Sequence, residues 1–234
     1  MGPIFRGMGM DAKAVIFDLD GTLLDTLGDL RDSLEGALRD NGVLRSFDDG
    51  AFKLMVGNGI TKLIERALPR GGMEEPAFAA KVREDFKARY AQNLTRRTKP
   101  YKGVPELVDR LKSEGFRLGV WSNKDEDNSA ALIERFFPGA FDKVVGAAPD
   151  RPIKPEPQAG LELAAFLGAK PADLFYLGDS EVDMNSAKSC GFIAVGVGWG
   201  FREPEVLWTT GAQTVLDSPR DLFPFMEAFH GRVG

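Results

Sequence analysis

The sequence predicts an α/β fold, in which a parallel sheet is covered by helices and a purely helical segment is inserted after the first strand. Short continuous apolar segments recur along the chain, each followed by a turn and then by a helical pattern. Strands that are apolar without alternation are typical of sheets buried on both faces, and their alternation with helices indicates parallel pairing with right-handed crossovers. Between residues 25 and 99 this rhythm stops, and every periodic segment is helical.

The predicted elements follow this alternation in order. The strands are residues 14–17, 116–121, 143–145, 174–177, 192–197 and 214–216. The helices of the core are about 129–137, 156–167 and 182–190, and those of the insert are 30–39, 52–56, 60–68 and 78–90, separated by loops at residues 41–42, 57–59 and 70–72. We therefore predict a core of residues 11–24 and 100–234, a helical domain of residues 25–99, and a flexible N-terminal extension of residues 1–10.

The composition excludes several kinds of chemistry. The 234 residues carry 30 Lys and Arg against 35 Asp and Glu, a formal charge of −5, and include one histidine, His230, and one cysteine, Cys190. These two residues cannot supply the four ligands of a structural zinc site, and a lone cysteine cannot form an internal disulfide. A Ser-His-Asp or Cys-His enzyme would depend on His230, which we interpret as an exposed residue at a helix end. Any catalysis would therefore rest on carboxylates, lysine or a hard metal ion.

The same counts limit the partners of the chain. An acidic protein without a clustered basic surface is poorly suited to nucleic acid, whose phosphates require such a surface. No apolar segment is long enough to cross a bilayer, and residues 1–10 lack the apolar stretch of a signal peptide. We therefore expect a cytoplasmic protein that binds neither nucleic acid nor membrane, and the sequence leaves monomer and homodimer open.

Polar residues follow the predicted strands where a ligand would bind. In an open parallel sheet, ligands bind beyond the carboxyl ends of the strands, where the loops converge. The residues concerned are Asp18 and Asp20 after the first strand, Ser122 and Asn123 after the second, Lys154 in the loop past the third, and Asp179 and Asp183 after the fourth. Each alone is explained as well by a turn or a helix cap, but their order at successive strand ends predicts a common site.

This set of side chains suits phosphoryl transfer. Carboxylates at two strand ends would repel each other unless a cation lay between them, and oxygen-only ligands suit Mg²⁺. Asp18 would attack phosphorus to give an aspartyl-phosphate, while Asp20 would protonate the leaving oxygen and later deprotonate the hydrolytic water. Ser122 and Lys154 would hold the phosphate oxygens, and Asn123 is assigned to phosphate binding beside them.

The segment from Asp18 to Thr26 resembles the first motif of the haloacid dehalogenase superfamily. The residues that match its second, third and fourth motifs, in the right order, are Ser122, Lys154 and the pair Asp179 and Asp183. The resemblance covers nearly the whole chain after the first ten residues. It implies a Rossmann-like, doubly wound core with a helical cap inserted just after the first motif.

The resemblance also implies roles for the four aspartates. In this superfamily the residue at Asp18 is the nucleophile and a Mg²⁺ ligand. The residue at Asp20 gives its backbone carbonyl to the metal and its side chain as acid and base. Asp179 would be the other direct ligand, and Asp183 would support the metal from outside these ligands or complete its coordination.

The insert carries a finer resemblance. Residues 56–60 followed by 63–68 are similar to the cap of phosphoglycolate phosphatases. Residues 101–104, where the core resumes, and residues 177–183 are similar to the corresponding parts of the same enzymes. This similarity makes 2-phosphoglycolate the candidate substrate of a Mg²⁺-dependent phosphomonoesterase, and Gly57, Asn58 and Gly59 its candidate contacts in the cap. The alternative is that the two glycines serve only to turn the chain.

Other activities remain open at this point. Dehalogenases of the superfamily lack a carboxylate at the position of Asp20, which favours phosphoryl transfer. A sugar-phosphate mutase would return the phosphate to a bound sugar, and a phosphonate hydrolase would need an amine from the cap, for which Lys53 and Lys62 are the candidates. A signalling receiver, from a different class, also combines an acidic Mg²⁺ pocket with a phosphorylated Asp, a hydroxyl and a Lys, but it has no insert after its first strand.

A few neighbouring residues are assigned structural roles. Asp25 and Thr26 are predicted to cap the first helix of the insert, and Phe86 to belong to its apolar core. Cys190 is predicted to be a small buried residue at a helix end. Residues 196–200 are predicted to form a loop near the mouth of the site.

Overall fold

The computed structural model of the chain describes residues 13–68 and 76–233, with side chains as far as residue 229. Its strands are β1 Ala14–Phe17, β2 Leu24–Asp25, β3 Lys99–Pro100, β4 Arg117–Asp125, β5 Lys143–Ala147, β6 Phe175–Gly178, β7 Ile193–Val197 and β8 Thr214–Leu216. Its α-helices are α1 Leu27–Asp40, α2 Asp49–Lys53, α3 Gly59–Ala67, α4 Pro76–Asn93, α5 Val104–Ser113, α6 Glu126–Phe136, α7 Gln158–Leu167, α8 Glu181–Cys190, α9 Pro204–Thr210 and α10 Leu222–Val233. The predicted N-terminal extension, the loop at residues 70–72 and the side chain of His230 lie outside the described part.

Six strands form one parallel sheet in the order β5-β4-β1-β6-β7-β8. Strand β1 lies inside it, with Val15 paired to Leu118 of β4 and to Phe175 of β6. The chain builds outward from β1 through β4 to β5 and then returns to β6, so the direction of winding reverses between β1 and β6. This reversal is the topological switch point of a doubly wound sheet, and the predicted α/β class is confirmed.

Helices cover both faces of the sheet. Val15 and Phe17 of β1 pack into a core with α5, α6 and α10, while Ala14 and Ile16 pack into a second core with α7, α8 and α9. All four side chains are buried. A strand buried on both faces needs apolar residues at successive positions, which explains the continuous apolar pattern that predicted it.

Helices α1 to α4, which we call the helical cap, pack around an apolar core of their own. Leu34, Phe52 and Phe86 are buried in it, and Phe201 from the loop after β7 joins the same cluster. The predicted domain boundaries at residues 25 and 99 stay a prediction. Among the helices that the structure describes, none combines the length and apolarity that crossing a membrane requires.

The chain leaves and rejoins the core through a short antiparallel ribbon of β2 and β3. Leu24 lies opposite Pro100, and Asp25 lies opposite Lys99. The expectation that residues 25–99 contain no strand is therefore wrong at both of its ends. Two-residue strands are too short to produce a periodic pattern, so the sequence gives no signal for them.

Strand β4 continues past its predicted end at residue 121 to Asp125. Ser122 and Asn123 therefore lie within the strand rather than after it, and the prediction that they follow it is wrong. Pairing with β5 is irregular between Trp121 and Asp125. The apolar pattern stops at Trp121 because the strand there reaches the polar edge of the sheet, although its backbone remains extended.

Candidate active site

The predicted site residues meet at the switch point of the sheet. Asp18 follows β1 and Asp179 follows β6, and the Asp18 N–H donates to the carbonyl of Leu177 at 2.8 Å, which continues the ladder between the two strands. A cavity of about 440 Å³ opens at this edge. Among the residues that line it are Asp18, Asp20, Ser122, Asn123, Lys154 and Asp179 from the core and Gly57, Asn58 and Gly59 from the cap.

Three buried carboxylates form the centre of the site. Carboxylate oxygens of Asp18, Asp179 and Asp183 lie within 4.8 Å of one another. Burial raises the pKa of Asp18 to about 7, against the attraction of Lys154 and with further repulsion from Asp183. Burial, together with repulsion from Asp183 and Asp18, raises the pKa of Asp179 well above its usual range. The negative charges of these three carboxylates repel one another when no cation lies between them. Such a cluster of oxygen ligands fits a hard divalent cation such as Mg²⁺.

Lys154 supplies positive charge to this cluster. Its Nζ lies 2.7 Å from Asp18 Oδ1, 2.6 Å from Asp183 Oδ1 and 2.9 Å from the hydroxyl of Tyr176. These contacts use all three hydrogens of the ammonium group. Burial alone would lower the pKa of Lys154, but attraction from Asp18 and Asp183 outweighs burial and raises it. Lys154 is therefore charged and fixed in place beside Asp18.

Asp183 is fully engaged by protein donors. Its Oδ1 accepts from Lys154 and, at 2.9 Å, from Tyr176, while its Oδ2 accepts from the N–H and hydroxyl of Ser180 at 3.0 and 2.5 Å. The Ser180 hydroxyl also accepts from the Asp183 N–H, which completes a capping box at the start of α8. Asp183, which does not line the cavity, thus links the N-terminus of α8 to Lys154.

The side chain of Asp20 lies apart from the carboxylate cluster. Lys124 Nζ lies 2.8 Å from its Oδ2, and the Thr26 hydroxyl donates to its Oδ1 at 2.6 Å. Thr26 does occupy the N-cap position of α1, but its side chain makes no capping bond. The predicted capping role is therefore wrong for the hydroxyl of Thr26, because that hydroxyl orients Asp20 instead.

Asn123 connects Lys154 to the cap. Its Oδ1 accepts from the Lys154 N–H at 2.8 Å, and its Nδ2 donates to the carbonyls of Lys154 and Gly57 at 3.2 and 3.1 Å. The side-chain amide is thereby occupied, and its assignment to phosphate binding stays a prediction. Ser122, which is buried, accepts from the Lys124 N–H at 3.3 Å.

The loop of Gly57, Asn58 and Gly59 reaches the cavity from the cap. Both glycines have positive φ, +115° and +79°, a conformation that other residues rarely adopt. Asn58 Oδ1 accepts from Arg66 at 2.7 Å. The glycines therefore do turn the chain, as the alternative interpretation held, and the same turn brings them to the cavity wall. Their contact with substrate stays a prediction.

Asp179 fits closely between two backbone segments. A Cβ on Gly21 would lie 2.2 Å from Asp179 Oδ2, and one on Gly200 would lie 2.2 Å from Asp179 Cβ. The Phe201 N–H donates to Oδ2 at 2.7 Å. Residues 196 and 197 belong to β7, so the predicted loop is wrong there, and the loop beside Asp179 begins at residue 198. Cys190 is buried at the end of α8, as predicted.

Four further residues at the site were not assigned from sequence. Tyr176 lies in the middle of β6, and Tyr90 and Arg202 lie far from the motifs along the chain. Arg202 donates to the carbonyl of Val56 in the cap at 2.9 Å and to Glu181 of the core at 2.9 Å. Of these four residues, only Lys124 could have been assigned to the site from the sequence, because it directly follows Ser122 and Asn123 at the same strand end.

Comparison with known proteins agrees with this geometry. Residues 15–197 match the family model described as haloacid dehalogenase-like hydrolase. The chain is 31% identical to a phosphoglycolate phosphatase of Aquifex aeolicus over 92% of this chain and 97% of that protein. It is 29% identical to an N-acetylmuramic acid 6-phosphate phosphatase of Pseudomonas aeruginosa over 93% and 96% of the two chains.

A solved structure shows the same fold. The crystal structure of a protein from Lactobacillus delbrueckii subsp. bulgaricus, provisionally assigned as a phosphoglycolate phosphatase, superposes with a TM-score of 0.82 at 31% identity. The match covers 94% of this chain and 98% of that one. The matched motifs, the doubly wound core and the clustered aspartates at its switch point together show that the chain belongs to the haloacid dehalogenase-like hydrolase family.

Proposed function

We propose that the protein is a Mg²⁺-dependent phosphomonoesterase that hydrolyses a small phosphorylated metabolite through an aspartyl-phosphate. The observation that carries this proposal is the contact of Asp18 with Lys154 inside a cluster of three buried carboxylates. Asp18, Asp179 and the backbone carbonyl of Asp20 would hold the metal, with Asp183 supporting them. When bound, Mg²⁺ neutralises the negative charge that would otherwise repel a phosphate.

The residues of the chain divide the reaction between them. The Asp18 carboxylate attacks phosphorus while the bond from phosphorus to the ester oxygen breaks, and Asp20 gives its proton to that leaving oxygen. Asp20 then takes a proton from the water that attacks the aspartyl-phosphate, which frees phosphate and restores Asp18. Lys154, which would exchange one of its present acceptors for phosphate, and Ser122 would hold the phosphate oxygens. The hydrogen bond from Thr26 keeps the Asp20 side chain at a fixed position.

We propose 2-phosphoglycolate as the substrate. Support comes from relatives in which this activity is named, and from the cap loop of residues 57–59 at the cavity wall. A relative at similar identity acts on a sugar phosphate, so sugar phosphates belong among the compounds tested. A phosphonate hydrolase is less well supported, because neither Lys53 nor Lys62 lines the cavity and Lys62 is paired with Glu65 at 2.7 Å.

The decisive experiment measures phosphate release from 2-phosphoglycolate, sugar phosphates and nucleotides, with Mg²⁺ and then with EDTA. We expect Mg²⁺-dependent release by the wild type and a loss of at least about 1000-fold in Asp18→Asn. Asp173→Asn, an exposed aspartate remote from the cavity lining, is the matched control. Equal release by wild type and Asp18→Asn, or release that EDTA does not affect, would contradict the proposal. A bisphosphate intermediate would instead indicate a mutase.

A further inference from the structure

One buried hydroxyl in the cavity wall makes no well-formed hydrogen bond. Tyr90, on helix α4 of the cap, is 2% exposed and lines the cavity. Its Oη has no partner of normal hydrogen-bond geometry among the residues that the structure describes, although the Lys124 ammonium is close enough to interact with it. A buried polar atom without a partner destabilises the fold, so its presence calls for an explanation. A hydroxyl that lines a substrate cavity gains a partner when a substrate with a suitable oxygen is bound.

The ring of Tyr90 is held firmly. It stacks on Phe86, one turn earlier on α4, with ring centroids 5.6 Å apart and planes 7° from parallel. On the core side, Lys124 Nζ lies 4.6 Å from the ring centroid. Burial raises the pKa of Tyr90 to about 12 against the opposing effect of the Lys124 ammonium, so at neutral pH its hydroxyl is protonated and can donate. The hydroxyl is therefore fixed by its surroundings before any ligand arrives.

The positions of Tyr90 and Lys124 indicate which part of a bound substrate these two side chains would contact. Lys124 is also bonded to Asp20, the residue proposed to protonate the leaving oxygen. Tyr90 and Lys124 consequently lie on the leaving-group side of the site. The cap residues Leu30, Leu63 and Phe86, which line the same cavity, offer no hydrogen bonds from their side chains. Arg83 and Lys87 of α4 also line it, but Arg83 is only half-buried and Lys87 is exposed, whereas the Tyr90 hydroxyl is buried.

We propose that Tyr90 and Lys124 form a subsite, contributed jointly by cap and core, for an oxygen-bearing substituent of the leaving group, either a carboxylate or a hydroxyl. The inference rests on the proposed phosphomonoesterase function and adds the residues that select its substrate. The phenol donates one hydrogen bond and the ammonium adds positive charge, so an oxygen acceptor is favoured over an apolar group of the same size.

Three phosphate esters that differ only in their terminal group test this subsite: ethyl phosphate, 2-hydroxyethyl phosphate and 2-phosphoglycolate. We expect wild-type kcat/KM to be at least about tenfold higher for the two oxygen-bearing esters than for ethyl phosphate. Tyr90→Phe should lower kcat/KM for these two about tenfold, mostly through KM, and for ethyl phosphate less than about threefold. Tyr101→Phe removes the same atom from a tyrosine outside the cavity lining and should keep the wild-type ratios.

Unfolding measurements separate a binding role from a structural one. Because the Tyr90 hydroxyl makes no well-formed hydrogen bond, Tyr90→Phe should unfold at the same temperature as the wild type or higher. A lower unfolding temperature, or the same loss for all three esters, would show that the hydroxyl supports the fold and would overturn the subsite. Equal or undetectable wild-type rates on the three esters would also overturn it. Failure of the proposed function is a different result, namely no Mg²⁺-dependent release from any compound of the wider set.

Discussion

The two halves of the cavity differ in how their side chains are bonded. On the core side, the charged groups are bonded to one another: Lys154 to Asp18 and Asp183, and Lys124 to Asp20. On the cap side, apolar side chains line the wall together with polar ones such as Arg83, Lys87 and Tyr90, and backbone carbonyls such as that of Gly57 bond to the core. The groups proposed for chemistry are thus fixed before substrate binds, whereas the cap contacts the core through backbone carbonyls and through a few side chains, such as Tyr90 beside Lys124.

The largest effect should come from removing the charged side chain of Lys154 in the core half of the cavity. Lys154→Met leaves two buried carboxylates without their ammonium partner, and we expect the free energy of unfolding at pH 8 to fall by about 3–5 kcal/mol. Phosphate release should drop at least about 1000-fold, because the phosphate oxygens lose a buried positive charge. Urea unfolding and activity assays measure both. Lys188→Met, on the exposed side of α8, serves as control. An active, stable Lys154→Met protein would refute the idea that the core half is built around this lysine.

A smaller effect concerns pH in the absence of metal. Since burial raises the pKa of Asp18 from 3.8 to about 7, the folded protein binds more protons than the unfolded chain between these values. The metal-free protein should therefore lose stability as pH rises from about 4 to about 7, on the order of a few kcal/mol, and Mg²⁺ should restore it. Urea unfolding at pH 5 and pH 8 measures the change. Asp18→Asn should show a weaker pH dependence; an identical dependence in this variant would rule Asp18 out as its source.

The junction between the halves should be less sensitive. Arg202 is buried and donates to carbonyls of Lys53 and Val56, at and just past the end of α2. We expect Arg202→Ala to lower the free energy of unfolding by about 1–3 kcal/mol and to raise KM about tenfold, because the cap loses its position over the cavity. Steady-state kinetics and thermal unfolding test this, with the exposed Arg39→Ala as control. An unchanged KM would show that Arg202 does not position the cap.

The smallest expected effect distinguishes two glycines of the cap. Gly59 and Gly42 have nearly the same backbone angle, φ +79° and +77°, but only Gly59 lines the cavity. Substitution by alanine should cost each about 1–2 kcal/mol from backbone strain, while KM should rise a few-fold only for Gly59→Ala. Comparison of the two variants therefore isolates the contribution of the cap loop to binding. A similar rise in KM for Gly42→Ala would attribute the effect to general destabilisation.

From the sequence, most of the core half of the site could be predicted, but of the cap only the loop of residues 57–59, through its resemblance. Asp18, Lys154 and Asp179 were predictable because parallel strands bring their carboxyl ends to one edge, so neighbours in space follow from strand order. Tyr90 and Arg202 were not, since their contacts depend on how a helical insert lies over the sheet, which no local pattern records. The ribbon of β2 and β3 and the extension of β4 were missed because short or polar strands show no periodicity.

The ribbon that joins the two halves has a further consequence. Because Leu24 and Pro100 are paired neighbours, the two points at which the chain crosses between the halves lie side by side. The distance that the insert must span is thus fixed by one strand pair and is independent of the insert's length. An insert of another length can therefore join the core at this junction with the register of the sheet unchanged, provided that it keeps Thr26, whose hydroxyl orients Asp20. The ribbon thus separates the length of the insert from the arrangement of the sheet.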